Sequence, residues 1–458
     1  MADKRPNIIL ITSDQLRPYE LGCYGGTQVA TPNIDHLAAR GTVWDTAITN
    51  FPVCMAARSI LMSGQHNRTA TGGKTNVAYP GRTGDFNMPE YPFHKRPHLK
   101  DPTLPELLGD AGYETNVIGK WHIHSWPHEI GFDHYLIPRV HHAHSAQIYS
   151  RDGGPEFAPD GYSVDFEAGE AEAYIASKAN AEQPFFLYYN ISPPHCPVAD
   201  MPAEYLTMYD PEQVVLRENT DEDRIENKDY WFKVYRWDFR YYSFRLPHTM
   251  DLPDGYDLRH LAAEYFGAVT WMDRAVGRIL DAVTKAGLDD NTLIVFTSDH
   301  GENLGSHGLV QKGTENDESI RIPLVIAGPN VPKGQRVNSN VASLIDLAPT
   351  FLEHAGVDVP AHMQGASLHR DSTGRAAFFQ TTKGVGLRSI ERTVFATFED
   401  GHAVSPTPHA VFDNITDPFQ FNNLAANFAD QIDQDSLLAQ LYALDAKIAW
   451  HHLEDDPK

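Results

Sequence analysis

Cysteine is nearly absent from this chain: Cys23, Cys54 and Cys196 are the three in 458 residues. Three cysteines cannot build the disulfide framework of a small secreted domain. A chain of this length, 41% hydrophobic, can bury a core without one. Also missing is any apolar run near the roughly 20 residues that a membrane-spanning helix needs. The opening MADKRPNIILITSD starts charged but reaches Asp14 after a short apolar stretch with no small-residue cleavage site. It reads as a strand and not as a signal peptide. These absences make the cytoplasm the expected location and leave no membrane role. Positive charge is scarce as well. With 37 Lys and Arg against 61 Asp and Glu, the formal net charge is −24, which argues against nucleic acid and anionic membranes as partners. An anionic substrate must therefore be drawn in by a local basic pocket, and the acidic surface otherwise serves solubility.

What is present alternates between strand and helix. Apolar β-rich runs occur at Asn7–Ser13, Glu114–Ile118, Phe185–Asn190, Leu293–Thr297 and Leu324–Ala327. Helical patterns with start and stop signals lie between them: Thr31–Arg40, Cys54–Met62, Leu104–Ala111, the long Leu261–Ala286 and Ser343–Ala355. This alternation predicts an α/β fold, a large mostly parallel sheet sandwiched by helices, over residues 1–365. After Gly365 the texture changes. Strands at Ala377–Gln380, Thr393–Glu399 and Ala410–Phe412, then an amphipathic helix over Asp435–His451, predict a smaller C-terminal α+β subdomain over residues 366–458. The aromatic and arginine-rich Tyr230–Phe244 offers a lid or a homo-oligomer contact. Trp231, Tyr235, Phe239 and Tyr242 also fit helical spacing, so ordinary packing is the favoured reading.

Two strand ends repeat each other. ITSDQ closes the first apolar run at Asp14 and Gln15, and FTSDH closes a later one at Asp299 and His300. Ligands of an open α/β sheet collect at the carboxyl ends of its strands. Two carboxylates, an amide oxygen and an imidazole suit a divalent cation such as Ca²⁺, Mg²⁺ or Mn²⁺. A single strand-end Asp reads better as the cap of a following turn; a matched pair favours the metal. In FPVCMAARSILMSG, Cys54 opens a helix and Arg58 stands one turn on, on the same face. Exposed helix-start N–H groups and a guanidinium together form an anion site. A buried small hydrophobe is the plain alternative for the cysteine.

These stretches, with TPNIDHLAARG, GYETNVIGKWH, SPPHCP, TSDHGENLGSHG and DNITDPFQFNNLA, resemble the type I sulfatases of the alkaline phosphatase superfamily. That family's Cys-x-Pro/Ala-x-Arg signature, followed by a Thr-Gly or similar pair, is matched by Cys54, Ala56, Arg58 and Ser63-Gly64. The resemblance implies a sulfuric ester hydrolase, arylsulfatase-like. It implies that Cys54 is oxidised to formylglycine by a maturation enzyme. The hydrated aldehyde would attack sulfur through one hydroxyl, forming a sulfated-enzyme intermediate, and expel sulfate through the other. It further implies one divalent cation, Ca²⁺ or Mn²⁺, on Asp14, Gln15, Asp299, His300 and the modified residue 54. Lys120 and Lys312 would hold sulfate oxygens, His122 would assist the diol's proton chemistry, and His195 would be the general acid.

Gln15 and His300 stand where many sulfatases carry Asp and Asn, a pairing shared with the phosphonate monoester hydrolases. Phosphonate monoester or phosphodiester hydrolysis is therefore the alternative, and the imidazole tilts the metal preference towards Mn²⁺. Without an export signal, a small soluble sulfate ester is the expected substrate. Nine histidines lie between His94 and His144. A zinc site in which His122 and His124 share a strand face is conceivable, but pocket lining or surface is the expected place for most of them.

Overall fold

The structure, a computed structural model, describes residues 5–75, 96, 98–139, 142–237, 251–370, 373–399, 402–428 and 437–451. In chain order its strands are β1 (Asn7–Asp14), β2 (Thr42–Trp44), β3 (Ala47–Ile48), β4 (Glu114–Gly119), β5 (His134–Pro138), β6 (Tyr149–Arg151), β7 (Phe185–Pro194) and β8 (Thr292–Ser298). They continue with β9 (Arg321–Ile322), β10 (Leu324–Ala327), β11 (Gln335–Val337), β12 (Ala342–Ser343), β13 (Ala377–Gln380), β14 (Gly384–Arg388), β15 (Arg392–Thr397) and β16 (Ala410–Asp413).

Nine of these form one sheet in the order β11-β2-β10-β8-β1-β7-β4-β5-β6. Its centre is parallel: β1 pairs with both β7 and β8, and β4 with β7 and β5. β1 is buried along its whole length, as are β7 and β8, which is why these runs are continuously apolar and do not alternate. Successive side chains still part to opposite faces. Ile9 and Ile11 join a core with the helices Pro32–Ala39, Ser163–Ser177 and Leu258–Lys285. Ile8 and Leu10 join another with Cys54–Ser63, Leu104–Asp110 and Leu347–His354. The sheet is thus sandwiched by helices, as the alternation of elements predicts.

β10 runs antiparallel to β8 and to β2, so the sheet is mixed. The chain leaves β8 at the sheet's carboxyl edge, loops there through residues 299–320, and can re-enter only in the reverse direction. The helix expected over Ser343–Ala355 is split. β12 takes Ser343, whose side chain caps a short turn with Asp346, and the helix proper starts at Leu347.

β13–β16 form an antiparallel sheet. Its β14, absent from the expectation, reads GVGLR and lacks a strand's usual composition. Gly386 is required there, because a Cβ would lie 2.2 Å from the Phe379 ring across the pair. One face of this sheet carries Phe378, Leu387 and Val394 under Leu438 and Leu441 of the helix Leu437–Lys447. The other carries Phe379, Phe395 and Phe412 against Ile48, Ile320 and Val341 of the larger body. Asn50 joins the two. Its Nδ2 donates to the Phe378 carbonyl (2.7 Å), while its Oδ1 accepts from Ile345 N–H (2.9 Å). The loop leading to Cys54 is thereby braced from both sides.

Trp231 and Tyr235 lie on the helix Lys228–Arg236, with Tyr235 buried; Phe239 and Tyr242 lie outside the described residues. Among the described residues no helix is long and apolar enough to cross a membrane.

Candidate active site

β1 and β8 run side by side with Ser13 opposite Ser298, so Asp14 and Asp299 emerge together at one edge of the sheet. Both are buried. Arg58, on the second turn of the Cys54–Ser63 helix, reaches between them. Its Nη2 lies 3.1 Å from Asp14 Oδ2 and 3.0 Å from Asp299 Oδ2. Nε also donates to Asp299 Oδ2 (3.0 Å), and Nη1 donates to Asn190 Oδ1 (2.7 Å) and the Lys120 carbonyl (3.2 Å). All three guanidinium nitrogens are engaged, and the side chain has no exposure to solvent. Burial of such a cation is tolerable only because every donor has a partner.

Cys54 begins that helix behind Val53, whose side chain provides no cap. The Cys54 Sγ lies 3.1 Å from His300 Nε2 and 3.7 Å from Asp14 Oδ1, and it is near enough to His122 and His195 to act on their ionisation. Burial and Asp14 oppose ionisation of this thiol, but Lys120, Lys312 and His300 outweigh them and hold its pKa well below the usual thiol range. Burial likewise works against ionised Asp14, yet Lys120, His195 and Arg58 keep its pKa well below the ordinary value. Asp299 differs: burial, then the charge of Asp14, pushes it up to about 6.

The donor set fits a divalent cation. Asp14, Cys54, Asp299 and His300 each offer one ligand atom, all within 4.8 Å of one another. His300 Nδ1–H donates to the Gly301 carbonyl (2.9 Å), which leaves Nε2 facing Asp14 Oδ1 and Asp299 Oδ1 at 3.7 Å each. A backbone carbonyl fixing one imidazole nitrogen so that the other is presented to a metal is a common arrangement. With Arg58 on the two Oδ2 atoms, the facing Oδ1 atoms concentrate negative charge. Burial first, and then the charge of Asp14, raise the pKa of Asp299, and a cation would offset both.

Two lysines act electrostatically on the cysteine. Lys120 pairs with Asp14 and donates to His142 Nδ1 (3.3 Å). Lys312 donates to Gln15 Oε1 and to His195 Nε2, each at 2.6 Å. His195 Nδ1–H in turn donates to the Cys196 carbonyl (2.6 Å). Burial and Lys312 push the His195 pKa down to about 3, so the ring is neutral and the pair's proton sits on Lys312. Gln15 is oriented by Glu302, which accepts from its Nε2. Gln15 and His122 hold left-handed backbone, with φ of 66° and 48°. Non-glycine residues in that region carry local strain of about 1–3 kcal/mol and cluster at functional sites. Gly119, just before Lys120, must be glycine: a Cβ there would meet the Asn190 carbonyl oxygen at 2.1 Å.

All ten residues singled out from the sequence thus converge: Asp14, Gln15, Cys54, Arg58, Lys120, His122, His195, Asp299, His300 and Lys312. Among the described residues the histidine-rich run yields no zinc set. β4 ends at Gly119, so His122 and His124 lie beyond it and share no strand face. Among the described residues the one group of side chains placed to hold a metal is the four-residue cluster above; His94 and His141 lie outside the described residues. Three residues of the site had no signal of their own in the sequence. Asn190 is an ordinary polar residue closing an apolar run in the sequence and lies within β7, Glu302 is a loop polar residue, and His142 is one histidine among nine.

Comparison with known proteins matches this architecture. A family profile described as Sulfatase covers residues 6–357. The chain is 27% identical over 465 residues to an ulvan-active sulfatase of Formosa agariphila, an alignment spanning 95% of this chain and 80% of that one. It is 29% identical over 414 residues to an N-acetylglucosamine-6-O-sulfatase of Bacteroides thetaiotaomicron, spanning 80% and 70%. A solved putative sulfatase from Bacteroides fragilis superposes with a TM-score of 0.79 at 24% identity, covering 98% of this chain and 97% of that one. With this fold and a profile match over most of its length, the chain belongs to the sulfatase family of sulfuric ester hydrolases.

Proposed function

We propose that the protein hydrolyses a sulfate monoester through a formylglycine formed from Cys54, with a divalent cation held by Asp14, Gln15, Asp299 and His300. The observation that carries this reading is the position of Cys54. It opens a helix beside two carboxylates and near three histidines, within the electrostatic reach of two ammonium groups. A formylglycine there supplies, as its hydrate, one hydroxyl to attack sulfur and a second whose deprotonation expels sulfate. The cation supplies Lewis-acid polarisation when bound.

The chain's own residues do the rest. Arg58 fixes both carboxylates and screens their repulsion. Lys120 and Lys312 each commit two of three ammonium protons to the protein, to Asp14 and His142 and to Gln15 and His195. The third proton of each is left for a sulfuryl oxygen, where charge changes as the ester bond breaks. The Lys312–His195 pair carries one proton and delivers it to the leaving oxygen. His122, close to Cys54 and kept neutral chiefly by burial, accepts the proton of the second hydroxyl.

The substrate class we assign is a small soluble sulfate ester, with sugar sulfates foremost, as the name of the N-acetylglucosamine-6-O-sulfatase relative suggests. The cation is Ca²⁺ or Mn²⁺, with His300 favouring Mn²⁺. The division at residue 365 belongs to the same proposal and is supported by the C-terminal sheet's own helix-side core. A matched series of aryl, alkyl and sugar sulfates, with phosphonate monoesters and phosphodiesters of the same leaving groups, tests the assignment. Sulfates should show the highest kcat/KM. A clear preference for the phosphorus esters would replace it with phosphonate or phosphodiester hydrolysis.

A further inference from the structure

We propose that His142 is a positioning residue of this site, holding Lys120 through its Nδ1 and His195 through its ring face. The inference rests on the sulfate-ester reading above. His142 is buried in the loop between β5 and β6. Its ring is stacked on that of His195, with centroids 3.8 Å apart and planes 6° from parallel. Its Nδ1 accepts from Lys120 Nζ at 3.3 Å. An ammonium group only donates, so this nitrogen is the unprotonated one. The two lysines and two histidines thus form two like couples, Lys120 to His142 and Lys312 to His195, joined face to face.

The loop is built to keep that face in place. Asp200, five residues beyond His195, accepts from His144 N–H (2.7 Å), from Ser145 N–H (3.1 Å) and from Ser145 Oγ. His144 Nδ1 bonds Ser163 Oγ (3.1 Å), and Gln147 Nε2 donates to the Ala143 carbonyl (2.7 Å). The segment that carries His195 therefore also clamps the loop that carries His142.

Two separable consequences follow. The acceptor at Nδ1 holds the Lys120 ammonium off Asp14 alone, so that its remaining proton faces a sulfuryl oxygen. The ring face holds His195 against Lys312, so that their proton reaches the leaving oxygen. An oxyanion donor is worth about 10²–10³-fold, and a displacement of about 1 Å costs about 10²-fold.

Two substitutions divide these roles. His142→Phe keeps a ring face and removes the acceptor. His142→Gln keeps an acceptor and removes the ring. Each is assayed with 4-nitrophenyl sulfate and phenyl sulfate, and for competitive inhibition by inorganic sulfate, with thermal melting to show folding. For His142→Phe, we expect equal losses on both esters and roughly tenfold weaker sulfate inhibition, at an unchanged ratio of the two esters. For His142→Gln, we expect sulfate inhibition near that of the unsubstituted protein, with phenyl sulfate losing about tenfold more than 4-nitrophenyl sulfate. Equal loss in every readout by both variants, no loss in either, or the reversed pattern would each overturn the assignment. Turnover of 4-nitrophenyl sulfate by the unsubstituted protein reports separately on the sulfatase reading. A failure there leaves no ratio to compare and is a failure of that reading, not of His142.

Discussion

Lys312 Nζ donates to His195 Nε2 at 2.6 Å. The direction of this bond decides which group starts with the proton. His195 is pushed down to about 3, by burial first and Lys312 second, so it stays neutral across the working range and relays a proton that Lys312 carries. Replacing His195 with Gln should lower kcat/KM for alkyl sulfates by about 10²-fold or more, and less for nitrophenyl sulfates, whose leaving group needs no proton. The alkaline limb of the kcat/KM profile, where a general acid gives up its proton, should not move, since Lys312 and not the ring carries that proton. Loss of that limb in the variant would show that a protonated imidazole is the acid.

Arg58 ties Asp14 to Asp299 from within the core. Removing it as Arg58→Met leaves two buried carboxylates without their shared partner. That should destabilise the fold by about 3–5 kcal/mol, read from chemical denaturation. Arg58→Lys should recover only part, because an ammonium cannot make the guanidinium's forked contacts to both carboxylates and to Asn190. A Lys variant as stable as the native chain would contradict the bridging role.

The convergence of Asp14 Oδ1, Asp299 Oδ1 and His300 Nε2 makes cation binding visible as stability. Adding Mn²⁺ or Ca²⁺ to chelator-treated protein should raise Tm and restore turnover. The gain should approach about 2.7 kcal/mol at a hundredfold excess over Kd. His300→Asn should still bind but shift its preference towards Ca²⁺, its ligands then being oxygens. Identical melting curves with and without both cations would remove the site from the account.

Glu167 is a buried carboxyl that receives the Tyr149 hydroxyl (2.9 Å), and burial pushes its pKa up to about 8. The unfolded chain ionises this group near its ordinary value, close to 4.5. Its contribution to stability is therefore full below that pH and is lost as pH rises towards about 8. Glu167→Gln keeps the acceptor for Tyr149 and cannot ionise. It should melt higher than the native chain at pH 8 and above, with the advantage shrinking towards pH 5. A difference in Tm independent of pH would contradict the assignment.

The sheet's centre and much of the site were legible because both depend on short contiguous signals. TSDQ and TSDH mark two strand ends, and parallel neighbours bring those ends together whatever lies between them. Cys54 and Arg58 are fixed relative to each other by one helical turn. Other features depend on distant chain. β14 is a strand because Phe379 lies over Gly386, which no local pattern records. β10 runs antiparallel because of where the preceding loop begins. His142 is marked out by partners distant in sequence, Lys120 and His195, and by Asp200, which holds its loop against His195. Glu302 acquires its part through Gln15, nearly the whole length of the large sheet's sequence away.

The central claim is that Cys54 is the precursor of the nucleophile, and peptide mass spectrometry of the purified, active protein tests it most directly. The account predicts that the peptide spanning residue 54 carries an aldehyde oxygen in place of the cysteine sulfur, and that preparations with more of this form turn over sulfate esters in proportion. Fully active protein whose residue 54 is entirely unmodified cysteine would contradict it.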